Sequence, residues 1–131
     1  MKSLLIIALL SIALCCDIDT FIQCAKEQLG KPYKAQRSGP ESFSCSGLVR
    51  FCFLRIGIDL PHLSSIQATY GTNVTDDYQP GDLLFFGWNS TIESIYHVAI
   101  YVGNNQYIES TKPVVTYTDM GRAISHARRI C

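Results

Sequence analysis

The sequence predicts an α+β domain, with N-terminal helices packed on a C-terminal antiparallel sheet. Helical start and stop signals fall in the first half of the chain, whereas from Pro80-Gly81-Asp82 onward the apolar residues come in short β-type runs. Helices that precede the strands, rather than alternate with them, gather on one face of an antiparallel sheet. Size adds a third observation: 131 residues, 47% of them hydrophobic, provide for one core and exclude a multi-domain reading.

Each element has its own signal. Met1-Lys2 and the apolar stretch from Leu4 to Leu14 have the charged start and short apolar centre of a secretory signal peptide, too short to span a bilayer. This predicts a leader over residues 1–16, removed near Cys15 or Cys16, and a mature domain over 17–131. The protein is then secreted or delivered to a lumenal, lysosome-like compartment. Asp19 can cap a helix whose apolar stripe is Phe21, Ile22, Ala25 and Leu29, ended by Gly30 and Pro32. Ser44 is the natural N-cap of a second helix, from Cys45 to about Ile56, apolar on nearly every side and therefore the buried central helix. Leu63 to Tyr70 reads as a short third helix closed by Gly71. The β runs are Leu83 to Phe86, Val98 to Val102, Gln106 to Ser110, Val114 to Tyr117 and Ala127 to Ile130.

Charge narrows the function. Lys and Arg total 11, as do Asp and Glu, and losing Lys2 with the leader leaves 10 basic against 11 acidic residues. No global field draws nucleic acid or an anionic membrane to the mature chain, so recognition has to be local. Six cysteines in an exported chain point to disulfides. Setting aside Cys15 with the leader and Cys45 for chemistry leaves Cys16, Cys24, Cys52 and Cys131, enough for two bridges of open connectivity. Cys45 cannot bridge Cys52: the helix between them spans about 10 Å, and bridged Cα atoms lie within about 7 Å. Asn73-Val74-Thr75 and Asn89-Ser90-Thr91 fit the N-glycosylation pattern.

The chemical signal is Cys45, in the first turn of the second helix. A helix N-terminus carries partial positive charge and unsatisfied N–H donors, which favour a thiolate over a thiol. Taken alone, Cys45 reads equally as a small buried hydrophobe or half of a disulfide. His97 opens the run His97-Val98-Ala99-Ile100-Tyr101-Val102, whose alternation puts Val98, Ile100 and Val102 on one side and His97, Ala99 and Tyr101 on the other. His62 and His126 read as ordinary surface or structural histidines. If the next loop is Gly103-Asn104-Asn105, Tyr101 faces Tyr107 and Ala99 faces Glu109. His97 and Glu109 then form a diagonal pair about 7 to 8 Å apart at the backbone. A two-residue Asn104-Asn105 turn would put them on opposite faces. A helix-tip thiolate, an imidazole on a facing strand and a polar group behind it are the working parts of a cysteine peptidase, with backbone N–H groups near the thiol as oxyanion donors.

The ordered set Leu29-Gly30-Lys31-Pro32-Tyr33, Gly39-Pro40-Glu41-Ser42-Phe43, Cys45-Ser46-Gly47-Leu48-Val49, Leu60-Pro61, Pro80-Gly81-Asp82-Leu83 and His97 to Gly103 resembles the NlpC family of cell-wall cysteine peptidases, over about Phe21 to Ile130. The resemblance implies a permuted papain-like fold, with Cys45 as nucleophile, His97 as general base and acid, and Glu109 in the third triad position. It also implies Tyr33, Ser44, Ser46, Ser64 and Gln67 as substrate contacts, and neither cofactor nor metal. The implied partner is bacterial peptidoglycan or its muropeptides, cut between D-γ-glutamyl and a diamino acid by a monomer that binds no nucleic acid and, once the leader is gone, no membrane. Three departures bear on this. Ser44 stands where many relatives have Asp, His62 where Arg is common, and Glu109 where His or a neutral polar residue is more usual. An anionic Glu109 raises the His97 pKa and favours the ion pair. The same scaffold also supports amidases and acyltransferases, and a disulfide-stapled wall-binding module with an inert Cys45 is the alternative outside enzymes.

Overall fold

The computed structural model describes residues 16–131; the predicted leader, Cys16 apart, lies outside the described residues. Helix α1 spans Ile18–Glu27 and is capped by Asp17, whose carboxylate accepts from Thr20 N at 3.2 Å and Thr20 Oγ1 at 2.8 Å. The cap is therefore not Asp19, which sits in the first turn, where its charge complements the helix N-terminus. Two acidic residues two apart give the same sequence signal, and Thr20, three residues after Asp17, decides between them by offering both an amide and a hydroxyl. Helix α2 spans Cys45–Arg55, with Ser44 as the predicted cap, and α3, Ser64–Gln67, is a single turn rather than the longer helix expected from Leu63 to Tyr70.

Six antiparallel strands follow: β1 (Thr72–Asn73), β2 (Leu83–Gly87), β3 (Ile95–Gly103), β4 (Gln106–Ser110), β5 (Val115–Asp119) and β6 (His126–Arg129), in spatial order β1-β6-β2-β3-β4-β5. β1 has no counterpart in the sequence reading because both its residues are polar and exposed, so no alternation marks it. α1 and α2 cover one face of the sheet, where Leu83, Phe85, Val98, Ile100 and Ile108 meet Phe21, Leu48 and Phe53. The Phe21 and Phe53 rings stack at 3.9 Å, beside a disulfide between Cys24 and Cys52 whose Cα atoms are 5.5 Å apart. The bridge ties α1 to α2 across a separation of 28 residues, a closure that stabilises by roughly 3–4 kcal/mol. The opposite face carries a second cluster, Leu84, Phe86, Ala99, Tyr107 and Ala127, covered by loop residues including Tyr78, Met120 and Ile124.

The β3–β4 hairpin reaches its predicted register by another route. Asn104 and Asn105 have φ of 53° and 61°, the paired positive values that a two-residue type I′ turn requires. Gly103, not Val102, therefore pairs with Gln106. A bulge between Tyr101 and Gly103 then restores Tyr101 opposite Tyr107, and Gly103 at φ +89° supplies its left-handed residue. The turn alone would have separated His97 from Glu109, and the bulge returns them to one face.

Candidate active site

Cys45 is the first residue of α2, and its position is fixed by the loop before it. The carbonyl of Arg37 accepts from Ser44 N at 2.8 Å and Ser44 Oγ at 3.2 Å, while Ser44 Oγ accepts from Gly47 N at 3.1 Å. A Cβ at Gly47 would collide with that Arg37 carbonyl, which is why the residue two after the thiol is glycine. With the single Ser44 hydroxyl proton given to Arg37, the ring of His62, 2.9 Å away, donates from Nε2. Burial of the ring, then the nearby Arg50 charge, lowers the His62 pKa and keeps it neutral. The pair Ser44 and His62 thus holds the helix start without formal charge.

The imidazole comes from β3. Phe86 pairs with His97 but Gly87 pairs with Ile95, so Tyr96 is the extra residue of a bulge and its ring turns outward beside His97. His97 is buried, and its Nε2 meets Glu109 Oε1 at 2.6 Å. Cys45 lines the same cleft as the ring, and the two groups shift each other's pKa, with the backbone of Val98 and Ser46 adding to the effect on the thiol. Glu109 Oε2 accepts from Thr118 Oγ1 on β5 at 2.6 Å, and Arg122 Nη1 lies 3.8 Å from Glu109 Oε1. Imidazole, carboxylate and hydroxyl form one hydrogen-bonded series across β3, β4 and β5, with the thiol of α2 on the same cleft as the imidazole.

The electrostatics follow from that series. Burial alone would push the Cys45 pKa up, but the hydrogen bond and charge of His97 with the two backbone contacts outweigh it, and the pKa is lowered. Burial would likewise depress His97, yet its bonds to Cys45 and Glu109 and their charges raise it to about 9. Burial opposes ionisation of Glu109 as well, and His97, Thr118 and Arg122 reverse it, so the carboxyl is lowered. The three shifts all favour the thiolate, imidazolium and carboxylate over the neutral forms, with Glu109 reinforcing the cation between the two anions.

These groups open on a cleft of about 290 Å³ lined by Tyr33, Cys45, Tyr96, His97, Ser110, Thr111, Lys112 and Arg122. Of the predicted substrate contacts, only Tyr33 lies there. Ser44, Ser46 and Ser64 are buried, and Gln67 is 0% exposed, its amide donating to Ser46 O at 3.1 Å and Pro61 O at 2.8 Å. Gln67 braces the start of α2 and does not reach a groove, so its expected role as a substrate contact is corrected. Thr118, Arg122, Tyr96 and Lys112 escaped the sequence reading because each is a common surface residue type brought to the site only by strand pairing, a bulge or the path of a loop. Among the described residues no group of three or more His, Cys, Asp or Glu could hold a metal ion, and no helix is long and apolar enough to cross a membrane.

A thiol whose ionised form is favoured by a neighbouring imidazolium, at a helix N-terminus and beside an open cleft, is equipped to attack a carbonyl carbon and protonate the group that leaves. Comparison with known proteins agrees with that class. The chain belongs to the NlpC/P60 family, which matches residues 30–130. It is 41% identical over 97 residues to a protein of Listeria seeligeri named probable endopeptidase p60, covering 73% of this chain and 18% of that one. It is 36% identical over 104 residues to the bifunctional muramidase/DL-endopeptidase CwlT of Bacillus subtilis, covering 78% and 32%. The solved structure of NlpC2 from Trichomonas vaginalis superposes with a TM-score of 0.77 at 32% identity, over 84% of this chain and 44% of that one. The chain thus spans from about a fifth to a third of the length of these curated relatives.

Proposed function

We propose that the protein is an exported cysteine peptidase that hydrolyses stem peptides of bacterial peptidoglycan, at the bond between D-γ-glutamyl and a diamino acid. The observation that carries the chemistry is that Cys45 and His97 line one cleft, with His97 hydrogen-bonded from behind by Glu109. The choice of bond is supported by the names of the relatives, one of them a DL-endopeptidase. Export is supported by the leader-like start of the chain and by the Cys24–Cys52 bridge, which suits an oxidising compartment.

In this reading the Cys45 thiolate adds to the scissile carbonyl, and the oxyanion is held by the Cys45 amide, a first-turn donor that the Ser44 cap does not use. His97 passes its proton to the departing amine, leaving a thioester on Cys45. Water then adds to that thioester as His97 takes up its proton, and the acid product leaves with the thiolate restored. Glu109 and Thr118 hold the ring plane through both halves. Neither step calls on a cofactor, and one copy of the chain contains every group named.

The purified secreted chain incubated with defined muropeptides, with products resolved by mass spectrometry, tests the reading. The expected products are a stem ending in D-glutamate and a fragment beginning with the diamino acid, with no turnover by Cys45→Ala. Release of the whole stem from the glycan would identify an amidase instead. Retention on sacculi without turnover by the unmodified protein would identify a binding module. N-terminal sequencing of the same sample is expected to find the chain starting near Cys16 or Asp17.

A further inference from the structure

The cleft beside Cys45 differs from the rest of the surface in its charge. Acidic and basic residues balance over the whole chain. Around this cleft, however, the charged side chains apart from the reacting pair are Lys112 and Arg122, and no Asp or Glu lines it. The nearest carboxylate, Glu109, is buried behind His97 with its oxygens engaged by His97 and Thr118. At 3.8 Å from Glu109 Oε1, Arg122 is near enough to feel that charge and too far to form a hydrogen bond with it.

Aromatic rings hold Arg122 in place instead. Its guanidinium carbon lies 4.4 Å from the centre of the Phe86 ring and 6.0 Å from that of Tyr96, and Nη2 donates to the Tyr96 hydroxyl at 3.1 Å. Tyr96 is stacked in turn on Trp88, with ring centres 4.5 Å apart. The Arg122 side chain nevertheless remains 45% exposed. A planar fork with five donors, fixed on an aromatic ledge and facing an open cleft, is pre-organised for a planar anion and loses little freedom on binding it.

We propose that Arg122, with Lys112 across the cleft, is a carboxylate subsite, and that the protein selects stem peptides whose carboxylates next to the scissile bond are free over those that are amidated. The proposal rests on the peptidase reading above and adds a substrate class to it. A γ-linked D-glutamyl residue keeps its α-carboxylate free, and a diamino acid such as diaminopimelate carries a second carboxylate. Either could supply the anion. Amidation replaces a charged double acceptor with a neutral group whose NH2 turns donors toward a guanidinium that can only donate. The loss of one charge-assisted interaction then lowers kcat/KM by roughly ten- to a hundred-fold.

The test uses the purified chain and three muropeptides alike except for amidation: none, at the D-glutamyl α-carboxylate, or at the second carboxylate of the diamino acid. At low salt, kcat/KM is expected to fall at least about ten-fold for one of the amides, which identifies the carboxylate that is read. In Arg122→Gln the acid-to-amide ratio should collapse toward one. Arg122→Lys should recover part of it, and Lys112→Ala should reduce it by a smaller factor. Equal cleavage of all three substrates, or a ratio unchanged in Arg122→Gln because both rates drop together, overturns the subsite and leaves the peptidase reading standing. Cleavage of none of them removes both.

Discussion

In the proposed reaction the tip of α2 and the sheet facing it act together, but they are built in different ways. At the tip, the cap, the thiol and the glycine that admits the Arg37 carbonyl are a contiguous run, Ser44 to Gly47, and the helix behind them is clamped by a disulfide and a ring stack. On the sheet, His97, Glu109, Thr118 and Arg122 come from separate segments; a bulge sets His97 and Glu109 on one face, regular β4–β5 pairing brings Thr118, and the loop after β5 brings Arg122. The first region owes its geometry to local sequence and to the core, the second to pairing between strands. Substitutions should therefore separate into effects on turnover, effects on stability and effects on the pH range.

The largest separation is expected from Cys45→Ala. Removing the proposed nucleophile should lower turnover by at least about 10³-fold. The half-buried side chain packs at the edge of the core and loses a single heavy atom, so stability should change by no more than about 1 kcal/mol. Muropeptide cleavage and urea unfolding on one preparation measure both, and a large loss of stability would show that the thiol is a core residue after all. The converse case is Cys24→Ser with Cys52→Ser, expected to cost roughly 3–4 kcal/mol of stability while leaving kcat intact at temperatures where the variant is folded. A fall in kcat proportionate to that of Cys45→Ala would mean that the tip and its clamp are not separable.

The same contrast governs what could be read from the residues alone. The helix order, the Ser44 cap, the thiol and most strand positions were legible because each follows from spacing within one segment. The pairing of His97 with Glu109 was legible only in outcome: a three-residue loop was the assumed cause, and the actual cause is a two-residue turn corrected by a bulge at Gly103. Asp17 against Asp19 and Gln67 as brace rather than groove residue could not be read, because both depend on which atoms lie within reach in space. Thr118 and Arg122 were invisible for the same reason. Of the cysteines, Cys24 and Cys52 fall on facing sides of α1 and α2, a contact that no spacing rule specifies.

Glu109→Gln acts on the sheet alone and should show in the pH range. His97 is raised to about 9 and Cys45 is lowered, so the ion pair persists from the depressed thiol value up to about pH 9. Loss of the carboxylate charge lets His97 fall, bringing the alkaline limb of the rate profile to lower pH. The weaker imidazolium in turn lets Cys45 rise, moving the acid limb up, and the window narrows from both sides. Turnover at the optimum should drop by roughly ten-fold, the scale of one charge-assisted bond. Stability has the matching sign. The raised His97 stabilises the fold fully below its ordinary 6.5 and loses that contribution as pH climbs through about 9. The lowered Glu109 stabilises above its ordinary 4.5 and loses that contribution as pH falls. Alkylation of Cys45 by iodoacetamide across pH 4 to 10 reads the acid limb, where the thiolate forms, and muropeptide turnover over the same range reads the alkaline one; identical limbs in the two proteins would contradict the role given to Glu109.

The smallest effect, and the finest discriminator, is expected from Thr118→Val. The two side chains are nearly the same shape, so the change removes one hydroxyl that donates to Glu109 Oε2 at 2.6 Å and little else. The bond to the carboxylate is charge-assisted, but only its orienting part bears on turnover, so the loss there should be less than the roughly ten-fold expected of Glu109→Gln, as Glu109 becomes free to rotate away from the ring. The pH behaviour should differ in sign from that of Glu109→Gln. Thr118 shares the carboxylate charge with His97, so without the hydroxyl more of that charge faces the imidazolium, and the alkaline limb should hold its place or move up. A limb that moves down in both variants would mean that Thr118 supports the charge on Glu109 more than it fixes its direction. Lower turnover with a limb that stays or rises would assign Thr118 to orientation.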